Sequence, residues 1–362
     1  MSPALARAAS LEALSEATPP RDFRSPRVDL NGKVVLITGG TGSFGKAFVK
    51  MVCAEFEPRK LIVFSRDELK QYEMAQSFSP ERYPFMRYFI GDVRDVGRLQ
   101  MALRGVDYVI HAAALKQVPT AEYNPFECIK TNVMGAENVV NASIACGVKR
   151  VVALSTDKAA NPINLYGASK LAADKIFCAA EAMAGDSGTS FSVVRYGNVL
   201  GSRGSVAPLF RRLAAEGAVD LPITDARMTR FWITLGQGVN FVLSSLELMQ
   251  GSEIFVPKIP STRTADLATA VAPSLPHRVV GIRPGEKLHE VMVPEDDARS
   301  TVELHDRYVI LPSGEHRRRA AYLEAGGRPV ADGFSYASDR NPEPMDARGL
   351  QSLLAMAMAD GG

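Results

Sequence analysis

A glycine-rich turn directly after a short apolar run constrains the fold of this 362-residue chain more than any other feature. The run Val34–Thr38 is rich in β-branched residues, which is typical of a strand buried in a parallel sheet. Glycines here let the backbone approach a pyrophosphate, whose charge the amides of the next helix N-terminus meet. The turn therefore predicts a dinucleotide site rather than a simple tight turn. The residues expected to line it are Gly39, Thr41, Gly42, Ser43, Phe44 and Gly45.

The strand–helix unit repeats along the first 200 residues. Further buried strands are predicted at Leu61–Ser65, Arg87–Gly91, Tyr108–His111, Val151–Ser155 and Ser192–Arg195. Helices are predicted at Gly45–Phe56, Glu68–Phe78, Val96–Leu103, Pro125–Cys146 and Leu165–Ala184. This alternation is typical of an α/β fold with a Rossmann-like doubly wound parallel sheet.

The rhythm of strands and helices loosens after residue 198, which predicts a smaller C-terminal substrate-binding cap. We expect residues 29–198 to form the nucleotide-binding domain, with 236–258 returning to its sheet. Residues 199–235 and 259–330 would form the cap over the carboxyl ends of the strands, where ligands bind in open α/β sheets. Residues 1–28 are expected to be a flexible extension, and 331–362 a peripheral segment.

Composition narrows the range of partners. The net charge of +2 predicts neither nucleic-acid binding nor attraction to an anionic membrane. The sequence has no apolar run long enough to span a bilayer. Its four cysteines lack the spacing of a metal site, so we expect buried free thiols in a cytoplasmic protein. The histidines are scattered, and no metal is expected.

The end of the second predicted strand favours NADP over NAD. Ser65 and Arg66 occupy the strand tip, where a guanidinium suits a 2′-phosphate, and Lys70 lies one turn beyond Asp67. Alternatively, Arg66 and Asp67 form an ordinary solvated pair. Other residues expected at the cofactor are Asp92, Val93, Ala112, Ala113, Lys116, Asn132, Tyr166, Lys170 and Val199.

A second cluster carries acid–base groups. Tyr166 and Lys170 are four residues apart, so on a helix they share one face, where a cation would lower the tyrosine pKa. Asp157 and Lys158 add a second acid–base pair that simple hydride transfer does not need. The alternative is a local ion pair, but neighbours in extended chain point to opposite sides, which makes pairing awkward. We therefore predict catalysis by Thr156, Asp157, Lys158, Tyr166 and Lys170.

Several strings resemble the inverting UDP-N-acetylglucosamine 4,6-dehydratases of the extended short-chain dehydrogenase/reductase superfamily. The likeness runs from about residue 30 to 312. The strings are Gly39–Lys46, Ser65–Lys70, Ser155–Ala168, Arg195–Val199, Met228–Trp232 and Arg283–Glu290. These enzymes open the route to pseudaminic acid, which decorates flagellins, so the resemblance implies a UDP-N-acetylglucosamine substrate.

The resemblance also implies roles for individual residues. Tyr166 would take the C4-hydroxyl proton beside Thr156, while Lys170 holds the ribose. A neutral Lys158 would remove the C5 proton, and Asp157 would protonate the departing C6 hydroxyl. Lysine at this position, where retaining dehydratases carry an acidic residue, fits inversion at C5. The predicted substrate-binding residues are Lys116, Asn198, Arg203, Arg230, Arg283 and Glu286.

Two alternatives to a dehydratase follow from the same fold. A nucleotide-sugar 4-epimerase would share Tyr166 and Lys170 but would need neither Asp157 nor Lys158. A non-catalytic NADP-binding protein would have no use for a poised phenol. We also expect a homo-oligomer, either a dimer or a hexamer, in which the helices at 125–146 and 165–184 pack across a two-fold axis.

Overall fold

A ten-stranded sheet forms the centre of the protein. The computed structural model describes residues 21–312, 314 and 316–361. The strands, numbered along the chain, are β1 (Val34–Thr38), β2 (Lys60–Ser65), β3 (Met86–Ile90), β4 (Tyr108–His111), β5 (Arg150–Thr156), β6 (Ser190–Tyr196), β7 (Asn198–Val199), β8 (Leu221–Ile223), β9 (Thr229–Ile233), β10 (Ile254–Pro257), β11 (Ser261–Arg263), β12 (His277–Val279), β13 (Val291–Val293), β14 (Thr301–Glu303), β15 (Arg307–Ile310), β16 (Arg328–Pro329) and β17 (Tyr336–Ala337).

Helices cover the sheet and build the cap. They are α1 (Ser43–Glu55), α2 (Glu68–Ser77), α3 (Val96–Ala102), α4 (Val118–Tyr123), α5 (Pro125–Ile129), α6 (Gly135–Ala145), α7 (Leu165–Ala184), α8 (Val206–Ala215), α9 (Leu235–Leu248), α10 (Thr264–Val271), α11 (His316–Glu324) and α12 (Ala347–Gly361). A π-helix, Lys130–Met134, joins α5 to α6, and short 3₁₀ helices span Asp157–Ala159, Gly185–Ser187 and Glu295–Ser300.

The strand order confirms the predicted doubly wound sheet. Strands β3, β2, β1, β4, β5 and β6 lie side by side in that order, and each pair is parallel. This is the order of a dinucleotide-binding fold, in which the strand order reverses between β1 and β4. Strand β1 is fully buried, as its apolar sequence predicts. The glycine turn after β1 therefore lies at the edge where such folds bind ligands.

The far edge of the sheet differs from the expected domain boundaries. Strand β10 joins β6 in parallel, as predicted for the segment 236–258, and β15 then pairs with β10 antiparallel. Strands β14 and β16 continue this antiparallel edge, so part of the segment 259–330 belongs to the central sheet instead of the cap. These strands pair the backbone groups that β10 would otherwise leave open at an edge.

The terminal segments are packed where the structure describes them. Residues 1–20 of the predicted flexible extension lie outside the described residues. From residue 21 the expectation is wrong, because Phe23 is buried against Phe241 with ring centroids 5.0 Å apart. The predicted peripheral segment 331–362 also contributes to the interior: Tyr336 is buried, and the buried face of α12 packs beside α10. Apolar burial holds both segments in place.

Candidate active site

The glycine turn between β1 and α1 has the geometry of a phosphate cradle. Gly39 has φ +65°, and a Cβ there would lie 2.8 Å from the Ala113 nitrogen. A Cβ on Gly45 would lie 2.2 Å from the Gly40 carbonyl oxygen, so only glycine fits this helix start. Helix α1 begins at Ser43 without a side-chain cap, which leaves its first amides available to a ligand. The turn therefore fits a dinucleotide pyrophosphate. Thr41 is buried, and Phe44 packs against the main core.

The tip of β2 carries one exposed cation, Arg66, and leads into the capped helix α2. Arg66 is exposed, and its Nη1 lies 3.8 Å from Asp92 Oδ2. Asp67 is the N-cap of α2: its Oδ1 accepts from the Lys70 amide at 3.0 Å, while Lys70 Nζ lies 2.7 Å from Oδ2. Ser65 is buried, and its hydroxyl accepts from Gln71. Arg66 is therefore the residue of this group whose guanidinium is best placed to meet a ligand.

Other predicted cofactor residues either lie beneath the glycine turn or hold the surrounding backbone in place. The amides of Ala112 and Ala113 donate to Thr38 Oγ1, which fixes the backbone beneath the glycine turn. Val93 is buried, and its side chain packs so closely on Gly135 that a Cβ there would lie 2.9 Å away. Its side chain is therefore a packing residue.

Asn132 lies in the π-helix and connects two parts of the site. Its Oδ1 accepts from the Leu115 amide at 2.8 Å, and its Nδ2 donates to Leu115 O at 2.9 Å and to Ser169 Oγ at 2.9 Å. Ser169 in turn donates to Tyr166 O. The amide therefore ties the segment after β4 to the helix that carries Tyr166, and its hydrogen bonds position the site instead of leaving the side chain open to a cofactor.

The loop after β7 closes over the glycine turn. The Arg203 amide donates to Ser43 Oγ at 3.0 Å, and Lys116 Nζ lies 3.4 Å from Arg203 O. Arg203 and Lys116, predicted as substrate-binding residues, are thus brought to the mouth of the cofactor cradle. Asn198 and Val199 form β7, which precedes Arg203 in the chain and pairs with β9. Asn198 Oδ1 is buried and has no hydrogen-bond partner in the described part of the chain, so it is available to a ligand.

Asp157 and Lys158 form an ion pair at the end of β5. Lys158 Nζ lies 3.0 Å from Asp157 Oδ1, which also accepts from Thr156 Oγ1 at 2.9 Å. The expectation that adjacency would prevent this pairing is wrong, because the two residues lie in a 3₁₀ turn and not in extended chain. Asp157 is fully buried, whereas the Lys158 side chain stays 26% exposed. The Lys158 side chain is therefore only partly enclosed by the protein.

A carboxylate from the C-terminal part completes the charge cluster. Glu290 Oε1 lies 3.5 Å from Lys158 Nζ and 3.7 Å from Arg230 Nε, and Glu290 Oε2 lies 3.9 Å from Lys287 Nζ. Glu290 is 1% exposed. Burial and the nearby Asp157 carboxylate raise the pKa of Glu290. Two carboxylates therefore face three cations in a largely buried cluster.

The protonation of Lys158 differs from the prediction. Burial lowers its pKa, but the carboxylates of Asp157 and Glu290 outweigh burial and raise the pKa above the ordinary lysine value. The expected neutral amine is therefore not the resting form of this side chain. The second carboxylate, Glu290, lies in the string Arg283–Glu290 but was not selected, because nothing local in the sequence pairs it with Lys158.

Tyr166 and Lys170 share one face of α7, as predicted, but their electrostatics differ. Lys170 Nζ donates to Leu154 O at 2.7 Å, and burial lowers the Lys170 pKa. Burial raises the pKa of Tyr166 to about 12, while the Lys158 ammonium acts in the opposite direction. The prediction that Lys170 lowers the tyrosine pKa is therefore wrong here: the cation acting on the phenol is Lys158.

Three predicted substrate residues, Arg230, Arg283 and Glu286, come from the part of the chain beyond β8, and each of them already has a partner. Arg230 is buried and donates to the carbonyls of residues 229, 287 and 288, which makes it a brace instead of a free diphosphate ligand. Arg283 and Glu286 form an ion pair at 2.6 Å, and Arg283 is 69% exposed. Arg283 is thus paired with Glu286, but its side chain stays largely open to solvent.

Sequence reasoning missed the residues that join the two halves of the site. Asn164 caps α7 by accepting from the Gly167 amide, and its Nδ2 donates to Gly285 O at 2.8 Å. Lys287 Nζ reaches Ala160 O at 2.5 Å. The available signal was the string Arg283–Glu290, from which only its first and fourth residues were selected.

Comparisons with known proteins agree with this geometry. Residues 35–312 match the model of a family described as polysaccharide biosynthesis protein. The chain belongs to this family. It is 58% identical over 329 residues to a protein of Campylobacter jejuni named UDP-N-acetylglucosamine 4,6-dehydratase (inverting), covering 90% of this chain and 98% of that one. It is 41% identical to a protein of Rickettsia canadensis named UDP-glucose 4-epimerase, covering 89% and 95%.

Solved structures share the fold. Pen from Bacillus thuringiensis is 34% identical and superposes with a TM-score of 0.83 over 91% of this chain and 99% of that one. DesIV of Streptomyces venezuelae, a dTDP-glucose 4,6-dehydratase solved with NAD and TYD bound, is 23% identical with a TM-score of 0.65, covering 90% and 97%. The resemblance drawn from the sequence strings is thereby confirmed, as is the Rossmann-like fold.

The described residues add two observations on other kinds of site. No helix among them is long and apolar enough to span a membrane. Nor does this part of the chain bring together three or more histidine, cysteine, aspartate or glutamate side chains in a group suited to a metal ion. All four cysteines are free thiols.

Proposed function

We propose that this protein is a UDP-N-acetylglucosamine 4,6-dehydratase that inverts C5 and uses NADP. The observation that carries the proposal is the Lys158–Asp157 contact beside Tyr166, which supplies acid–base chemistry at two further atoms of the sugar. The relatives from Campylobacter with 58% identity support it. When bound, the nicotinamide would accept hydride from C4 and return it to C6, so no net oxidation occurs.

A different side chain carries out each of three proton transfers. Tyr166 takes the proton of the C4 hydroxyl, and the Lys158 ammonium favours the phenolate that this step requires. Oxidation at C4 makes the C5 proton acidic enough for an amine to remove. Lys158 takes that proton, and Asp157 protonates the C6 hydroxyl as it leaves as water.

The Lys158–Asp157 ion pair can be converted into the neutral amine and the carboxylic acid that the reaction requires. Transfer of one proton across the 3.0 Å contact converts the ammonium and carboxylate into a neutral amine and a carboxylic acid. The amine is the base needed at C5, and the acid is the donor needed at C6. A neutral Lys158 can therefore arise by proton transfer within the pair, without loss of a proton to solvent. After water has left, Lys158 is again an ammonium and Asp157 a carboxylate, so the pair returns to its resting charges. Completion of the turnover needs one proton at C5, which balances the proton that Tyr166 took from the C4 hydroxyl, and its delivery to the opposite face of C5 gives the inversion.

NADP is proposed over NAD because of Arg66. Its exposed guanidinium at the tip of β2 suits bidentate pairing with a 2′-phosphate, and Asp67, the neighbouring acid, is held as a helix cap. Lys170 would hold the nicotinamide ribose, and Arg203, Arg283 and Asn198 would hold the UDP-sugar.

We further propose that the product feeds pseudaminic acid synthesis for flagellin glycosylation, in line with the resemblance. The homo-oligomeric state, a dimer or a hexamer, and the cytoplasmic location stay predictions.

One experiment tests the activity directly. Purified protein is incubated with UDP-N-acetylglucosamine in D₂O, and the sugar is followed by NMR. We expect loss of the C6 oxygen, a new methyl group, deuterium at C5 and the L-arabino configuration. A product that keeps its C6 hydroxyl would refute the dehydratase.

The same experiment separates the second candidate, a nucleotide-sugar 4-epimerase. The relatives named UDP-glucose 4-epimerase at 41% identity favour this alternative. An epimerase would give the C4 epimer with protium retained at C5 and no new methyl signal beyond that of the N-acetyl group.

A further inference from the structure

Glu290 is a buried carboxylate with no role in the chemistry described so far. Its backbone amide donates to Ser338 Oγ at 2.9 Å, which fixes the residue just before β13. Its Oε2 has no hydrogen-bond partner in the described part of the chain, although Lys287 lies 3.9 Å away. A buried carboxylate that no hydrogen bond fully satisfies is costly to keep, so its charge calls for an explanation.

We infer that Glu290 is the positioning residue that sets the protonation of the Lys158–Asp157 pair. This inference rests on the proposed function of that pair. Glu290 Oε1 lies 3.5 Å from Lys158 Nζ, and Glu290 comes from a segment separate from that of Asp157 and Lys158. The contact is too long for a strong hydrogen bond but close enough for a strong electrostatic interaction.

Charged groups of both signs surround Lys158. Asp157 and Glu290 favour the ammonium, and Arg230 opposes it. Lys287 opposes the Lys158 ammonium directly and also pairs with Glu290, and the Tyr166 phenol interacts with Lys158 as well. Removing the Glu290 charge therefore makes each protonation of the pair less favourable. It also shifts the pair from ammonium–carboxylate toward the amine–acid form that reacts.

Loss of the Glu290 charge should shift the pH dependence of water elimination in one direction, toward lower pH. In Glu290→Gln, both limbs of the pH–rate profile for water elimination move to lower pH, by about one to three units. A purely structural role for Glu290 would lower the rate at every pH without moving the limbs. Glu290→Asp, which keeps the charge, should restore the profile toward wild type.

The decisive measurement does not depend on activity. Lysine side chains are labelled with ¹³Cε, and the Lys158 signal is identified by its loss in Lys158→Ala. We expect this signal to titrate at lower pH in Glu290→Gln than in wild type. Glu295→Gln, an exposed carboxylate five residues away, removes the same charge and should leave the Lys158 titration unchanged.

A second variant covers the case in which Glu290→Gln fails to fold. Lys287→Met removes the cation beside Glu290 Oε2, so the Lys158 signal should titrate at higher pH. An unchanged Lys158 titration in either folded variant overturns the inference. If wild type does not dehydrate the sugar but the titrations shift as expected, the proposed function fails while the electrostatic role of Glu290 stands.

Discussion

Replacing Lys158 with methionine removes the ammonium but keeps a similar side-chain length. In the structure this nitrogen lies 3.0 Å from Asp157 Oδ1 and 3.5 Å from Glu290 Oε1. Each contact is worth about 5 kcal/mol at an effective dielectric constant of 20, before the cost of burying the charges is subtracted. Because a quarter of Lys158 is exposed, we place the net loss of unfolding free energy at about 2 kcal/mol, between surface and buried pairs.

The loss of stability in Lys158→Met should depend on pH. Glu290 already has a raised pKa in the folded protein, so its burial opposes folding as pH rises through that pKa. Without Lys158 the Glu290 pKa rises further. The stability deficit is therefore largest at neutral pH and shrinks near pH 4, where Glu290 is protonated in both states. Urea unfolding at the two pH values measures the difference.

The same variant should lose water elimination more than oxidation. Loss of a general base costs roughly 10²–10⁴ in rate, or roughly 3–5 kcal/mol of barrier. We expect slow deuterium incorporation at C5, while absorbance of reduced nicotinamide shows that C4 oxidation persists. Lys130→Met, an exposed lysine paired with Glu127, is the matched control. Wild-type C5 exchange in Lys158→Met would refute the assignment of the base.

Three further predictions follow from other contacts. Tyr166→Phe should lower C4 oxidation by about 10²–10⁴-fold while the UDP-sugar still binds in calorimetry, and full oxidation would contradict its role. Arg66→Ala should weaken NADP binding by about tenfold or more and leave NAD binding nearly unchanged, whereas equal losses would argue against a 2′-phosphate contact. Asp174→Asn breaks the buried pair with Arg195, whose atoms lie 3.0 Å apart, and should cost about 3–5 kcal/mol in denaturant unfolding. A loss below 1 kcal/mol would show that this pair is not needed.

Local sequence signals were sufficient for the nucleotide-binding half of the fold. The apolar run of β1 and the glycines after it specify a strand, a turn and a helix within about twenty residues, and the structure places all three where predicted. The spacing of Tyr166 and Lys170 likewise places both residues on α7. Such features depend on short-range geometry, which the sequence encodes directly.

The electrostatics of the site could not be predicted in the same way. The pKa of Lys158 depends on Glu290, which the fold brings from 132 positions further along the chain. The local expectation also failed, because it assumed extended backbone at Asp157 where the chain makes a 3₁₀ turn. Gly167 shows how tightly that turn is packed: a Cβ there would lie 2.2 Å from Lys158 O. Side-chain charge is thus set by tertiary contacts that no short motif contains.

The two halves of the molecule together build the proposed acid–base centre. Asp157 and Lys158 follow β5, whereas Arg230, Lys287 and Glu290 come from the part of the chain beyond the nucleotide-binding strands. The described cluster holds two carboxylates and three cations, so it carries a net positive charge in its resting form. Removal of the C5 proton from a 4-keto sugar creates negative charge on the C4 oxygen, and a preorganised positive environment stabilises such charge without reorganisation. A cluster without net charge would hold Lys158 equally well but would lack this stabilisation. The positive charges of Arg230 and Lys287 are therefore an advantage at this site, although the proposed base needs only one carboxylate partner.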